Sequence, residues 1–165
     1  MRTLQKFYET FVRAASSLET PFLLLVRLYW GWQFMETGWG KLGDLGKVTG
    51  YFGSIGVPAP SLTAPFISGL EFVGGILLAL GLGSRVIAFL LAADMAVAYW
   101  VGDRAALLSF VSDPDKFSAA APFTFLVASL IVLIFGPGQW AVDRFFRSSE
   151  KRLNRFGVEP QLHQS

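Results

Sequence analysis

The chain has 165 residues, 53% of them hydrophobic and 16% charged, with a net charge of +2. A soluble domain carries about 25% charge. The surplus of Phe (16), Gly (17) and Trp (5) suits helices in lipid, so the composition points to an integral membrane protein with room for one domain. Zero cysteines and a lone histidine, His163 near the C-terminus, exclude a thiolate nucleophile, a disulfide relay, an iron–sulfur cluster, bis-histidine haem and a histidine-rich metal site. Redox chemistry would need a diffusible cofactor or a partner subunit.

The first twenty residues lack the apolar core of a cleavable signal peptide. Leu4, Phe7, Tyr8, Phe11, Ala15 and Leu18 instead recur at helical spacing, with Lys6, Glu9, Arg13 and Ser16 on other faces, which predicts an interfacial amphipathic segment over residues 1–19. A first span follows from about Pro21 to Leu42, with Thr20 as its N-cap and Pro21 at its first position. Gly43 to Pro60 reads as a Gly-rich loop. The second span covers about Leu62 to Leu82. Gly83 and Ser84 form a tight connection in which Ser84 can cap the third span, Arg85 to Val101. A polar loop with Asp103, Arg104, Asp113, Pro114, Asp115 and Lys116 leads to the fourth span, Phe117 to Phe135, which Gly136, Pro137 and Gly138 end. About 20 apolar residues cross the hydrocarbon, so the predicted fold is an all-α four-helix membrane bundle over residues 20–143, followed by a basic tail, 144–165.

Basic residues set the orientation. Arg2, Lys6, Arg13, Arg85, Arg144, Arg147, Lys151, Arg152 and Arg155 share one side, against Lys41, Lys47, Arg104 and Lys116 on the other. This places both termini in the cytoplasm.

Inside the spans lie Arg27, Glu36, Glu71 and Asp94, in a solvent where an ionisable side chain costs about 2.5–3.5 kcal/mol and is usually paired or lines a polar cavity. By helical rise Glu71 and Asp94 sit near mid-span and Arg27 within reach of them, with Glu36 and Gln33 toward the outer side with Lys41. Arg27, Gly31, Phe34, Gly38 and Lys41 form one stripe, on which Gly31 and Gly38 admit a close neighbour. Ser68, Glu71, Gly74 and Gly75 make a polar and small face on the second span. One arginine among three carboxyls leaves excess negative charge, so at least one carboxyl is expected to be protonated. The candidate roles are therefore Glu71 and Asp94 as a proton relay, Arg27, Gln33, Glu36 and Lys41 as ligand-binding residues, and Gly31, Gly38, Gly74 and Gly75 as packing residues. A purely structural Arg27–carboxylate pair is the competing expectation. Tyr29, Trp30, Trp32 and Trp39 can line a flat quinone pocket, while Trp39, Tyr99, Trp100 and Trp140 read more simply as interfacial anchors.

The chain also resembles the DoxX family of small four-helix membrane proteins. The residues that carry the likeness are Arg27-Leu28, Gly31, Phe34, Gly38 and Lys41-Leu42, then Phe52, Gly56, Val57 and Pro58. Gly69-Leu70-Glu71-Phe72-Val73-Gly74-Gly75, Ser84-Arg85, Gly136-Pro137-Gly138 and Asp143 complete the set. Where family members often carry His ahead of the glycine in the first span, this chain has Glu36-Thr37-Gly38. The resemblance implies a helical bundle in the cytoplasmic membrane, related to the small partner of thiosulfate:quinone oxidoreductase. The leading expectation is a multi-pass subunit of a quinone-linked redox system that binds a quinone-like headgroup or relays protons. A protein partner carries the redox centres, or the chain is a homo-oligomer; no nucleic acid is involved. A non-catalytic scaffold or accessory subunit is the alternative.

Overall fold

The computed structural model describes residues 2–143. Every regular element among them is helical: α1 (Arg2–Ser17), α2 (Glu19–Gly43), α3 (Leu45–Ser54), α4 (Pro60–Leu80), α5 (Ser84–Val101), α6 (Arg104–Leu107), α7 (Pro114–Ala119) and α8 (Ala121–Phe135). Two of these, α4 and α5, are long and apolar enough to cross a membrane. α2 has the length, but its polar residues keep it outside that group, and α8 is apolar but only 15 residues long. The basic tail expected over 144–165 lies outside the described residues.

The amphipathic N-terminal pattern forms α1, which is solvent-facing throughout its described side chains, with Phe7, Tyr8 and Phe11 outermost. The next boundary differs from the expectation. Thr20 is not an N-cap: α2 starts at Glu19, and Leu18 keeps a helical backbone (φ −79, ψ −14), so only one residue separates α1 from α2. Pro21 is tolerated because first-turn N–H groups have no partner inside the helix.

The Gly-rich segment is not a loop over its first half. α3 forms there because the Asp44 carboxylate accepts from Lys47 N at 3.1 Å and pairs with Lys47 Nζ at 3.0 Å. The helix also packs on α4, which offsets the roughly 1 kcal/mol that each interior glycine costs. The expected fourth span is likewise broken. α7 stops at Ala119, Ala120 is extended (φ −66, ψ 136), and α8 begins anew. Pro122 explains the break, since a continuous helix would drive its ring into the carbonyl of Ser118.

α2 and α4 pack antiparallel and very closely. A Cβ on Gly31 would lie 2.7 Å from Gly75 O and 2.8 Å from Ala79 Cβ, and one on Gly38 would strike the Phe72 backbone. Gly75 lies against Met35 N and Gly31 O, whereas Gly74 turns the other way, toward Leu91 of α5. α5 packs on α8, and α8 returns to α2 through Trp30, Phe34 and Phe125. Phe34, Leu78, Ala88, Leu91, Met95 and Val132 form the core between them.

Gly81 ends α4 with φ 75, its N–H reaching Leu78 O and that of Leu82 reaching Leu77 O, a Schellman closure that a side chain at Gly81 would strain. Ser84 is the first residue of α5 and not its cap. The cap comes from 60 residues away: Asp143 Oδ1 accepts from Gly83 N at 2.7 Å, and Asp143 Oδ2 accepts from Ser84 N at 2.9 Å and Ser84 Oγ at 3.0 Å.

Candidate functional site

The stripe that period 3.6 predicts on α2 carries a cation at each end, Arg27 and Lys41, about 21 Å apart along the helix. They have different surroundings. Arg27 does not meet Glu71 or Asp94, contrary to the sequence expectation. Because α2 and α4 run antiparallel, Arg27 lies at the C-terminal end of α4, where its Nη1 packs against Gly81. Its side chain is 0% exposed, Nη2 donates to Trp140 O at 2.6 Å, and Asp143 supplies the nearby opposing charge. Nε and Nη1 find no hydrogen-bond partner. Arg27 thus holds the segment after Gly138 across the helix ends.

The partner of Glu71 is Lys41. Nζ lies 2.5 Å from Glu71 Oε1, with the lysine side chain 34% exposed and the glutamate 2%. The length of the lysine stem allows this: its Cα is a turn beyond mid-span, and the amine reaches back to Glu71. Asp94 of α5 is buried beside them, its carboxyl within hydrogen-bonding reach of that of Glu71. Glu71 Oε2 and Asp94 Oδ2 have no donor among the described residues. Two such oxygens side by side can hold one proton between them or accept from a hydroxyl or amine.

These three groups line one end of a cavity of about 500 Å³, set among α2, α3, α4, α5 and the start of α8. Its walls are otherwise mostly apolar. α3 presents Val48, Tyr51, Phe52 and Ile55, and Phe125 closes the side of α8. This wall was missed because the segment reads as a loop, although the spacing of those four residues is helical. The aromatic set expected to line a flat pocket is elsewhere. Tyr29, Trp30, Trp32 and Trp39 do not line this cavity; Trp30 packs on Phe125, and Trp32 and Trp39 point outward. Tyr99 is no interfacial anchor either: it is 1% exposed, stacks on Phe117 and donates to Phe117 O at 2.6 Å.

Gln33 is half-buried and Glu36 exposed, and neither lines the cavity. Ser68 is buried and spends its hydroxyl on Ala64 O within its own helix.

An all-helical chain with two membrane-length helices and an ion pair sunk between its helices is a small helical membrane protein. Residues 22–104 match the DoxX family, and the chain belongs to it. Among curated proteins it is 28% identical over 131 residues to CatD of Bacillus subtilis, which is named as a candidate oxidoreductase; the match covers 79% of this chain and 91% of CatD. It is 31% identical over 138 residues to an uncharacterized membrane protein of Mycobacterium tuberculosis, covering 75% of this chain and 80% of the relative. No solved structure matches. Family and relatives together make this a protein of the lipid bilayer, with a redox link carried by the name of one distant relative.

Proposed function

We propose that the cavity binds a quinone-like headgroup and that Lys41, Glu71 and Asp94 hold and exchange its protons, as part of a multi-pass subunit of a redox system. The observation that carries this reading is a mostly apolar cavity whose buried end brings together an amine and two carboxyls with unpartnered oxygens. A pocket of 300–1,000 Å³ with a few convergent polar groups is the usual form of a small-molecule site. Lys41 spends one of three N–H donors on Glu71 and keeps others for a carbonyl oxygen of the ring. Glu71 Oε2 and Asp94 Oδ2 can accept from its hydroxyl form, and Tyr51, Phe52 and Phe125 offer flat surfaces to the ring. A bound quinone supplies two-electron, two-proton carrier chemistry; the electrons would come from a partner protein.

In this reading α2, α4, α5 and α8 form a four-helix bundle in the cytoplasmic membrane, with both termini on the cytoplasmic side and α1 along the surface. The nine-to-four bias of basic residues supports that orientation. The test is purification in mild detergent followed by extraction and identification of bound quinone. The wild-type chain should retain it, and Lys41→Ala and Asp94→Asn should each lose it at least tenfold. Quinone-free protein that cannot be reloaded would refute this function.

The second reading, a non-catalytic integral subunit, is favoured by a single observation: α2 turns a charged side chain away from its own bundle.

A further inference from the structure

α2 has two opposite stripes. Arg27, Gly31, Phe34 and Gly38 are buried, and half a turn away Tyr29, Trp32, Glu36, Gly40 and Gly43 are exposed. Tyr29 and Trp32 are 59% and 60% exposed, and a Cβ placed on Gly40 or Gly43 would meet nothing within 4 Å. Nothing in the chain's own packing requires glycine at those two positions.

The depth of Glu36 follows from the register of α2 on α4. Gly38 faces Phe72 and Ser68, and Gly31 faces Gly75 and Ala79, so Glu36 is level with the Phe72–Gly75 stretch. That stretch lies in the middle part of α4, which is long and apolar enough to cross the membrane. Glu36 is thus an outward-facing carboxyl at mid-membrane depth, with no ion pair or hydrogen bond to its side chain among the described residues. Ionisable side chains at that depth face a protein interior or a polar cavity, not hydrocarbon. Small residues beside a polar group are the usual composition of a helix–helix contact in lipid.

We infer that the Tyr29–Trp32–Glu36–Gly40–Gly43 face of α2 receives a membrane helix of a different subunit, and that this helix brings a lysine or arginine to Glu36. Gly40 and Gly43 let the partner backbone come close, and Trp32 flanks the pair. A second copy of this chain is the poorer occupant. About a two-fold axis along the membrane normal, Glu36 of each copy would stand at the same level, carboxylate against carboxylate. The surface does not involve the cavity, so this inference stands independently of ligand identity.

The test places a photo-crosslinking amino acid at Gly40 in the full-length chain in its native membrane, with the same probe at exposed Val73 of α4 as control. The expected result is one heavier adduct from Gly40 and none from Val73, mapped to a membrane helix of another protein that contains a basic residue. Glu36→Lys should lower its yield at least tenfold, and an acidic residue in place of the partner's basic one should restore it. If Glu36→Lys does not accumulate, Glu36→Gln serves instead, with a several-fold loss expected. Adducts only with lipid, a second copy, the chain's own tail or a helix without a basic residue would overturn the inference, as would a yield indifferent to Glu36.

Discussion

The two cations of α2 occupy opposite ends of one helical stripe and teach opposite lessons about buried charge. At one end Arg27 is sealed: its guanidinium is packed against Gly81, donates to a backbone carbonyl and has no cavity beside it. At the other end Lys41 is partly exposed, and its partner Glu71 looks into about 500 Å³ of space with an unpartnered oxygen. Both side chains are expensive in lipid. Only the second has room for a ligand. Space, more than charge, separates a strut from a site.

The largest expected effect removes both ends together. Gly75→Val would place side-chain atoms on Met35 N and Gly31 O, 2.5 and 2.6 Å from its Cβ, and backbone cannot give way as a side chain does. We expect a loss of at least about 3 kcal/mol, seen as failure to recover folded protein in detergent. Arg27→Ala should cost about 3 kcal/mol, because it leaves Trp140 O unpaired and a void at the helix ends. Thermal unfolding would measure it, and ligand binding by the folded fraction should be unchanged. If binding falls with Arg27, the two ends are one functional unit and the distinction between them fails.

The reverse test concerns the open end. Removing Lys41 alone strands Glu71, whereas an apolar pair of similar volume is often neutral. Lys41→Met combined with Glu71→Leu should therefore stay within about 1 kcal/mol of wild type in stability while losing at least tenfold in ligand affinity, as read by thermal unfolding and by titration with a soluble quinone analogue. The smallest effect lies at the cap of α3, which walls the cavity. Lys47 holds the Asp44 carboxyl below its ordinary value, through its side-chain hydrogen bond, its backbone N–H and its charge. A depressed folded value means the cap contributes above the unfolded pKa, about 3.9, and is lost as pH falls through the lower folded one. Asp44→Ala should thus speed hydrogen exchange in the first turn of α3 at pH 7, and acidification below about pH 4 should do the same to wild type.

Much of the helix layout was legible because period and punctuation agreed. The apolar runs place α4 and α5 within two residues of the structure, and Gly136-Pro137-Gly138 stops α8. The errors have definite causes. Glycine content concealed α3, whose stability comes from the Asp44 cap and from packing on α4. Pro122 was read as part of a run when it enforces a break. Pairing was the least legible, since depth counted from each span separately put Arg27 beside Glu71. The true register depends on Gly31 against Gly75 and Gly38 against Phe72, and no single helix contains that information. Asp143 was visible only as part of a resemblance. Its capping of α5 is a contact across 60 residues that spacing cannot announce.

Between the two ends lies the layer of Phe34, Leu78, Ala88, Leu91 and Val132, each 0% exposed. Ser129 is the one hydroxyl buried about a turn below Phe125 on α8, and Asp94 is ten residues, about 15 Å, from Ser84 at the far end of α5. One hydroxyl does not make a wire across that distance. The cavity is accordingly a blind alley, and traffic with Glu71 and Asp94 goes in and out by the same mouth, leaving the opposite compartment untouched.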